Sequence, residues 1–263
     1  MHGSSQRDNK PPFLVLGVGE LLWDLLPTGP QLGGAPANVA FHVSQLGDKG
    51  TPCSRVGCDT QGEAAVAAVK DIGMSSSGIQ RDPQKSTGTV DVTVDDKGQP
   101  TYTIHEGVAW DAMEVTDTWL QLARRADAAC FGSLAQRSRI SQSTLYCMLN
   151  NLPKKALRVF DVNLRQDFYS ATMLWQSLQL ATTVKVNHEE LPIVIRLLEL
   201  PGDSLGTQGR ALLEKFALDL VCITRGGQGS ILLGRSEEDD HPGNPAEVTD
   251  TVGAGDAFSA TLI

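Results

Sequence analysis

Short apolar runs alternate with longer stretches of helical periodicity along most of this chain. Phe13 to Val18 is continuously apolar and stops at Gly19, the pattern of a strand buried on both faces. Between 36 and 46 the apolar positions Ala37, Val39, Ala40, Val43 and Leu46 follow Pro36 and precede Gly47, which predicts a helix. A second helix is predicted over 60–72, closed by Gly73. Further on, strands are predicted at 128–131, 157–161, 183–186 and 220–224. Helices at 119–125, 141–149, 189–198 and 207–216 lie between them, with Pro192 in the first turn of the third. The segment 230–233 reads as an antiparallel neighbour of 220–224 across a glycine turn, and 236–245 as a charged surface loop. One segment breaks the rhythm. Val90, Val92 and Val94 alternate with Asp91 and Thr93, Lys97-Gly98 follows, and 101–105 returns. That is a hairpin with one solvated face, which predicts a small lid outside the main sheet. The remaining alternation predicts a mainly parallel sheet covered by helices on both faces.

Composition narrows the partners. The chain has 263 residues, 41% hydrophobic, and a formal charge of −9. That content supplies a core, and the acidic balance argues against nucleic acid or an anionic membrane as the main partner. No apolar run approaches the ~20 residues that span a bilayer. Residues 1–12 are polar and read as a disordered leader, leaving 13–263 as one domain. Cys53, Cys58, Cys130, Cys147 and Cys222 are scattered and odd in number, which predicts buried free thiols in a reducing cytoplasm and no zinc site.

The chemistry concentrates near the end, in Asp250-Thr251-Val252-Gly253-Ala254-Gly255-Asp256-Ala257-Phe258. Glycines allow a tight turn whose backbone N–H groups converge on one hollow, and a helix starting there adds its positive end. A carboxylate at the rim suits phosphoryl transfer, accepting the proton of an attacking hydroxyl. Gly-x-Gly-Asp alone is commonly just a loop; the full nonapeptide is far more specific. It resembles the second signature of the ribokinase-like (PfkB-type) carbohydrate kinases. The resemblance implies Asp256 as catalytic base and the Gly253, Ala254 and Gly255 backbone as the anion hole.

Other motifs follow in that family's order. Gly33-Gly34-Ala35-Pro36-Ala37-Asn38 could be a plain helix start with a proline cap. It resembles the first signature, which implies that Gly33, Gly34 and Asn38 contact a sugar. Asp24 matches an aspartate that grips two sugar hydroxyls, while Glu20 has no firm counterpart. Asp161-Val162-Asn163-Leu164-Arg165 is similar to a motif of fructokinase-like members, which implies Arg165 near the substrate or the transferred phosphate. Asn187-His188-Glu189-Glu190 could simply cap a helix. It also resembles the family's Asn-x-x-Glu, implying Asn187 at the nucleotide and Glu190 ordering water around Mg²⁺. Thr224-Arg225-Gly226-Gly227-Gln228-Gly229 could be a mere hairpin turn. The family's ATP site has such a turn, which implies nucleotide contacts from Thr224, Gly226, Gly227 and Gly229.

The resemblance runs from Gly17 to Phe258 and implies a three-layer α/β/α fold whose lid comprises about 21–31 and 88–106. The implied reaction is ATP-dependent phosphorylation of a sugar's primary hydroxyl, with Mg²⁺ and a monovalent cation such as K⁺ as further candidates. Trp23 to Pro27, Ala35 to His42 and Ala109-Trp110-Asp111 resemble fructokinase-like members, which implies fructose as the sugar. Ribose, 2-keto-3-deoxygluconate and nucleosides are the alternatives. In the family the lid often forms a dimer clasp, so a homodimer is implied. Family members also continue past this signature to wall the adenine pocket, so part of the fold is expected to be missing here. A catalytically weak sugar-binding or regulatory module is the competing expectation.

Overall fold

A computed structural model of the chain describes residues 11–94, 100–245 and 253–263. The first half runs β1 (Leu14–Val18), β2 (Leu22–Leu26), β3 (Gly29–Gly33), α1 (Ala35–Gln45), β4 (Lys49–Gly57), α2 (Thr60–Asp71), β5 (Ile79–Asp82), β6 (Gly88–Val94) and β7 (Pro100–Ile104). It continues with α3 (Asp117–Arg125), β8 (Ala128–Phe131), α4 (Arg139–Asn150), β9 (Leu157–Asp161), α5 (Ala171–Leu180) and β10 (Thr183–Asn187). The last third holds α6 (Glu190–Leu197), α7 (Leu205–Phe216), β11 (Leu220–Thr224), β12 (Ser230–Gly234), β13 (Glu238–His241) and α8 (Ala254–Leu262).

Among the described residues the strands form a nine-stranded sheet, ordered β13-β12-β11-β10-β9-β8-β1-β4-β5, and a four-stranded sheet, ordered β3-β2-β6-β7. From β5 to β11 all neighbours in the large sheet are parallel, and β12 and β13 join antiparallel at the edge. Alternate residues of its strands feed opposite layers, as the two-residue period of a strand requires. Val15, Ala128, Cys130 and Val159 pack with Val39 and Val43 of α1 and Ala260 of α8. Leu16, Ala129, Phe131 and Phe160 pack with apolar residues of α3 to α7. The fold is therefore the α/β class expected, with helices on both faces.

Side chains start several helices. Asp59, Thr116, Ser170 and Ser204 each accept a backbone N–H of the first turn of α2, α3, α5 and α7. Each such cap is worth roughly 1 kcal/mol.

The expected hairpin exists, and it lies outside the main sheet: β6 and β7 pair antiparallel beside β2 and β3. Its Lys97-Gly98 turn lies outside the described residues, as does the leader up to residue 10. The predicted loop over 236–245 is corrected, because residues 238–241 form β13. Its acidic side chains suit an edge strand, where charge discourages pairing with another chain. Arg210 and Arg225 tether it through Glu238 and Asp240. The thiols also need a correction: Cys53, Cys130 and Cys222 are buried, but Cys147 is half-buried and Cys58 exposed. Among the described residues no helix is long and apolar enough to cross a membrane.

Candidate functional site

The C-terminal ends of β1, β9, β10 and β11 open along one edge of the large sheet, where loops of a parallel sheet collect ligands. Two helices, α1 and α8, begin at that edge side by side. Gly34 is the N-cap of α1 and Gly253 that of α8. Asn38 sits in the first turn of one and Asp256 in the first turn of the other. They meet: Asn38 Nδ2 donates to Asp256 Oδ2 at 2.9 Å, across 218 positions of sequence. The positive ends of both helix dipoles thus converge beside one carboxylate.

Burial pushes the Asp256 carboxyl above its usual range, opposed by the Asn38 hydrogen bond, with the Asp161 carboxylate adding to the rise. Lys185 and Arg165 pull it back down. A carboxylate with a raised pKa is a stronger base, as proton abstraction from an alcohol needs. Ala254 and Gly255 are exposed at the head of α8. Asp250, Thr251 and Val252 of the motif lie outside the described residues.

The second sheet brings in Asp24, in the middle of β2 and paired with Gln31 and Val90. Burial raises its carboxyl too, with Arg165 opposing. A Cβ on Gly33 would lie 2.3 Å from Asp24 Oδ2, so a side chain there would displace that carboxylate. Gly34 turns the chain from β3 into α1 at φ 111°, and a Cβ there would lie 2.3 Å from the Glu20 carbonyl oxygen. Gly34→Ala is accordingly expected to cost about 1–3 kcal/mol of stability, read as a lower midpoint in urea unfolding.

Arg165 is exposed on the loop after β9, its Nη1 donating to Leu164 O at 3.1 Å. Its charge lowers the carboxyls of Glu20, Asp24 and Asp256 alike, so it lies within electrostatic reach of all three. Glu20 itself is buried, and burial lifts its carboxyl to about 7. One oxygen accepts from the Ala35 amide at 3.3 Å; the other has no partner among the described residues.

Asn187 and Thr224 end neighbouring strands in direct register. Asn187 Oδ1 accepts from the amides of Glu189 and Glu190, at 2.9 and 2.8 Å. Glu190 answers with both oxygens, accepting from Asn187 N at 3.0 Å and Leu164 N at 2.9 Å. This is a reciprocal cap that also fixes the Arg165 loop. The residues of the glycine turn divide. Gly226 and Gly227 are exposed, and a Cβ on either would meet nothing within 4 Å. Gly229 instead packs against the chain leaving β13, where a Cβ would come within 1.9 Å of His241 O. Its absent side chain is explained by that packing.

Sequence reasoning passes over Lys185 and Ser259. Lys185 pairs with Asp161 at 3.1 Å, both buried. Ser259 donates to Asp161 Oδ2 at 2.7 Å. A lysine between Val184 and Val186 in a central strand is the available signal.

Residues 29–263 match the family described as pfkB family carbohydrate kinase. The uncharacterized sugar kinase PH1459 of Pyrococcus horikoshii is 31% identical over 268 residues, covering 95% of this chain and 81% of that protein. Its crystal structure aligns with a TM-score of 0.79 at 29% identity, over 95% of this chain and 83% of that one. The fructokinase of Salmonella typhimurium is 30% identical over 257 residues, covering 94% of this chain and 82% of that protein.

Proposed function

Because the chain belongs to the pfkB family of carbohydrate kinases, and so is a phosphotransferase acting on a sugar hydroxyl, we propose that it phosphorylates the primary hydroxyl of fructose with ATP. The observation that carries this reading is the Asn38–Asp256 hydrogen bond, which joins two distant signature motifs at a pair of helix N-termini.

The residues divide the work. Asp24 and Asn38 hold sugar hydroxyls, the carboxylate accepting and the amide both donating and accepting. Asp256 takes the proton of the attacking hydroxyl. The amides of Gly253, Ala254 and Gly255 receive the negative charge that develops beside it. Arg165, within electrostatic reach of three carboxyls, keeps their repulsion down and offers a cation to the transferred group. The β2–β3 and β6–β7 strands act as the lid. Gln166 Nε2 donates to Tyr102 O at 2.9 Å, linking that lid to the loop carrying Arg165.

A nucleotide fits what is present. The β11–β12 turn is open at Gly226 and Gly227, and Asn187 and Thr224 flank it. When bound, ATP with Mg²⁺ supplies the phosphoryl group and neutralises its charge. Among the described residues no three His, Cys, Asp or Glu side chains group to hold a metal ion. Mg²⁺ commonly keeps several of its own waters, and Glu190 is the carboxylate that would order them. The structure of the Pyrococcus horikoshii relative in complex with ATP supports the donor. Fructose rests on the fructokinases of Salmonella typhimurium and Escherichia coli, at 30% and 28% identity.

A coupled assay of ADP release over fructose, ribose, 2-keto-3-deoxygluconate and nucleosides tests it. The expected result is release that depends on fructose above the others. Release driven by ribose or by a nucleoside, with none from fructose, would replace the substrate while leaving the kinase.

A further inference from the structure

Directly beneath the first turn of α8 lies a buried polar assembly that the phosphoryl-transfer reading does not use. Lys185 and Asp161 are cross-strand neighbours in β10 and β9. Lys185 Nζ lies 3.1 Å from both Asp161 oxygens. The two side chains are 9% and 4% exposed, so the pair is held out of solvent. Ser259 bridges it to the helix, donating to Asp161 Oδ2 at 2.7 Å and meeting the Gly255 carbonyl at 3.1 Å. A Cβ on Gly255 would lie 3.0 Å from Lys185 Nζ, so the ammonium touches the underside of the turn.

A buried ion pair is a poor source of stability, because desolvation offsets most of the attraction. Here it does something a hydrophobic pair of equal volume could not. It presents a hydrogen-bond acceptor to α8 and a positive charge to the turn that carries Asp256. We propose that Lys185 and Asp161, through Ser259, are positioning residues that anchor the first turn of α8 and set the charge felt by Asp256. The proposal rests on the reading of Asp256 as the base.

Among the described residues, six groups bond to the Asp256 carboxyl or lie within electrostatic reach of it. Asn38 approaches from α1, Glu20 from the β1–β2 loop and Arg165 from the loop after β9. Asp161 comes from β9, Lys185 from β10 and the buried Cys130 from β8. Asp161 raises and Lys185 lowers the carboxyl, so the two halves of the pair act in opposite directions on one group. A single charge in their place would push it one way only.

The test is a ¹³C-NMR titration of the Asp256 carboxyl in the ligand-free protein, with kcat and KM measured alongside on the sugar that the panel selects. Asp161→Asn keeps the shape and the acceptor for Ser259, and is expected to lower the Asp256 midpoint by about half a unit or more. Lys185→Met is expected to raise it by a similar amount. The double variant removes both charges and should return the midpoint from its Asp161→Asn value toward that of the wild type; if Lys185→Met alone does not fold, the Asp161→Asn shift carries the test. Ser259→Ala, which leaves the charges, should lower kcat several-fold with KM for the sugar unchanged. Asp161→Asn keeping the wild-type midpoint, with Ser259→Ala fully active, would overturn the proposal. An Asp256→Asn variant with wild-type turnover would instead remove the base on which it rests, whatever the midpoints do.

Discussion

Asp256→Asn is expected to fold and to bind sugar and nucleotide normally, yet to turn over roughly 10²–10⁴-fold more slowly, the usual worth of a positioned base. The substitution is nearly isosteric. An amide oxygen can still accept the Asn38 hydrogen bond that now measures 2.9 Å, so the link between α1 and α8 survives. The amides at the head of α8 are backbone and are untouched. What disappears is the one group at that position able to take a proton. The loss should therefore appear in kcat, with KM for either substrate little changed. Calorimetry that shows both ligands bound by the variant separates lost chemistry from lost binding. Burial holds the Asp256 carboxyl above its ordinary range. The base is active only when ionised, so the acid limb of kcat/KM should fall at a higher pH than that of a free carboxylate. Undiminished turnover in the variant would sink the assignment.

The parallel core is legible because its strands are short, apolar and bracketed by helices, as in Ala128–Phe131 and Leu220–Thr224. β4 is not. It contains Gly50, Pro52 and Arg55, none of which reads as a buried strand. Each has a local reason. A Cβ on Gly50 would lie 1.7 Å from Ala40 O, so α1 presses on the bare backbone. β5 pairs with β4 only from Ser54 onward, so Pro52 sits where β4 is still an edge and needs no donor on that side. Arg55 is buried but bonded to Asp82 at 2.9 Å and to Ala112 O at 2.7 Å. α5 escapes a reading by pattern because no glycine closes it; Ala181 simply turns extended.

The site divides along the same line. Asn38 and Asp256 stand in motifs whose spacing is local, and the fold brings the motifs together. Glu20 and Lys185 act through burial, which depends on what packs over them and leaves little mark on neighbouring residues. The placement of the Asp24 carboxyl beside Gly33 likewise needs the second sheet, whose β2 and β3 show weak strand patterning around Pro27 and Pro30.

Glu20→Gln is expected to stabilise the protein by up to roughly 3 kcal/mol at pH 8 and to change little at pH 4. The sign follows from the proton balance. In the unfolded chain this carboxyl ionises at its ordinary 4.5, whereas burial holds it to about 7 in the folded state. Between those values the folded protein binds the extra proton, so stability falls as pH rises from 4.5 to 7. Above 7 the native state carries a buried charge with one oxygen unpartnered, and the loss is complete. Glutamine cannot ionise, and its oxygen can keep the Ala35 amide. Urea unfolding of both proteins at pH 4 and pH 8 reads the difference directly. An equal gap at the two pH values would show that Glu20 does not titrate in this window. Among the described residues the second Glu20 oxygen has no partner, so the charge it carries above pH 7 is uncompensated there. Its presence beside Asp256 and the Gly34 turn is thus a stability cost located at the candidate site, where such costs are characteristically retained.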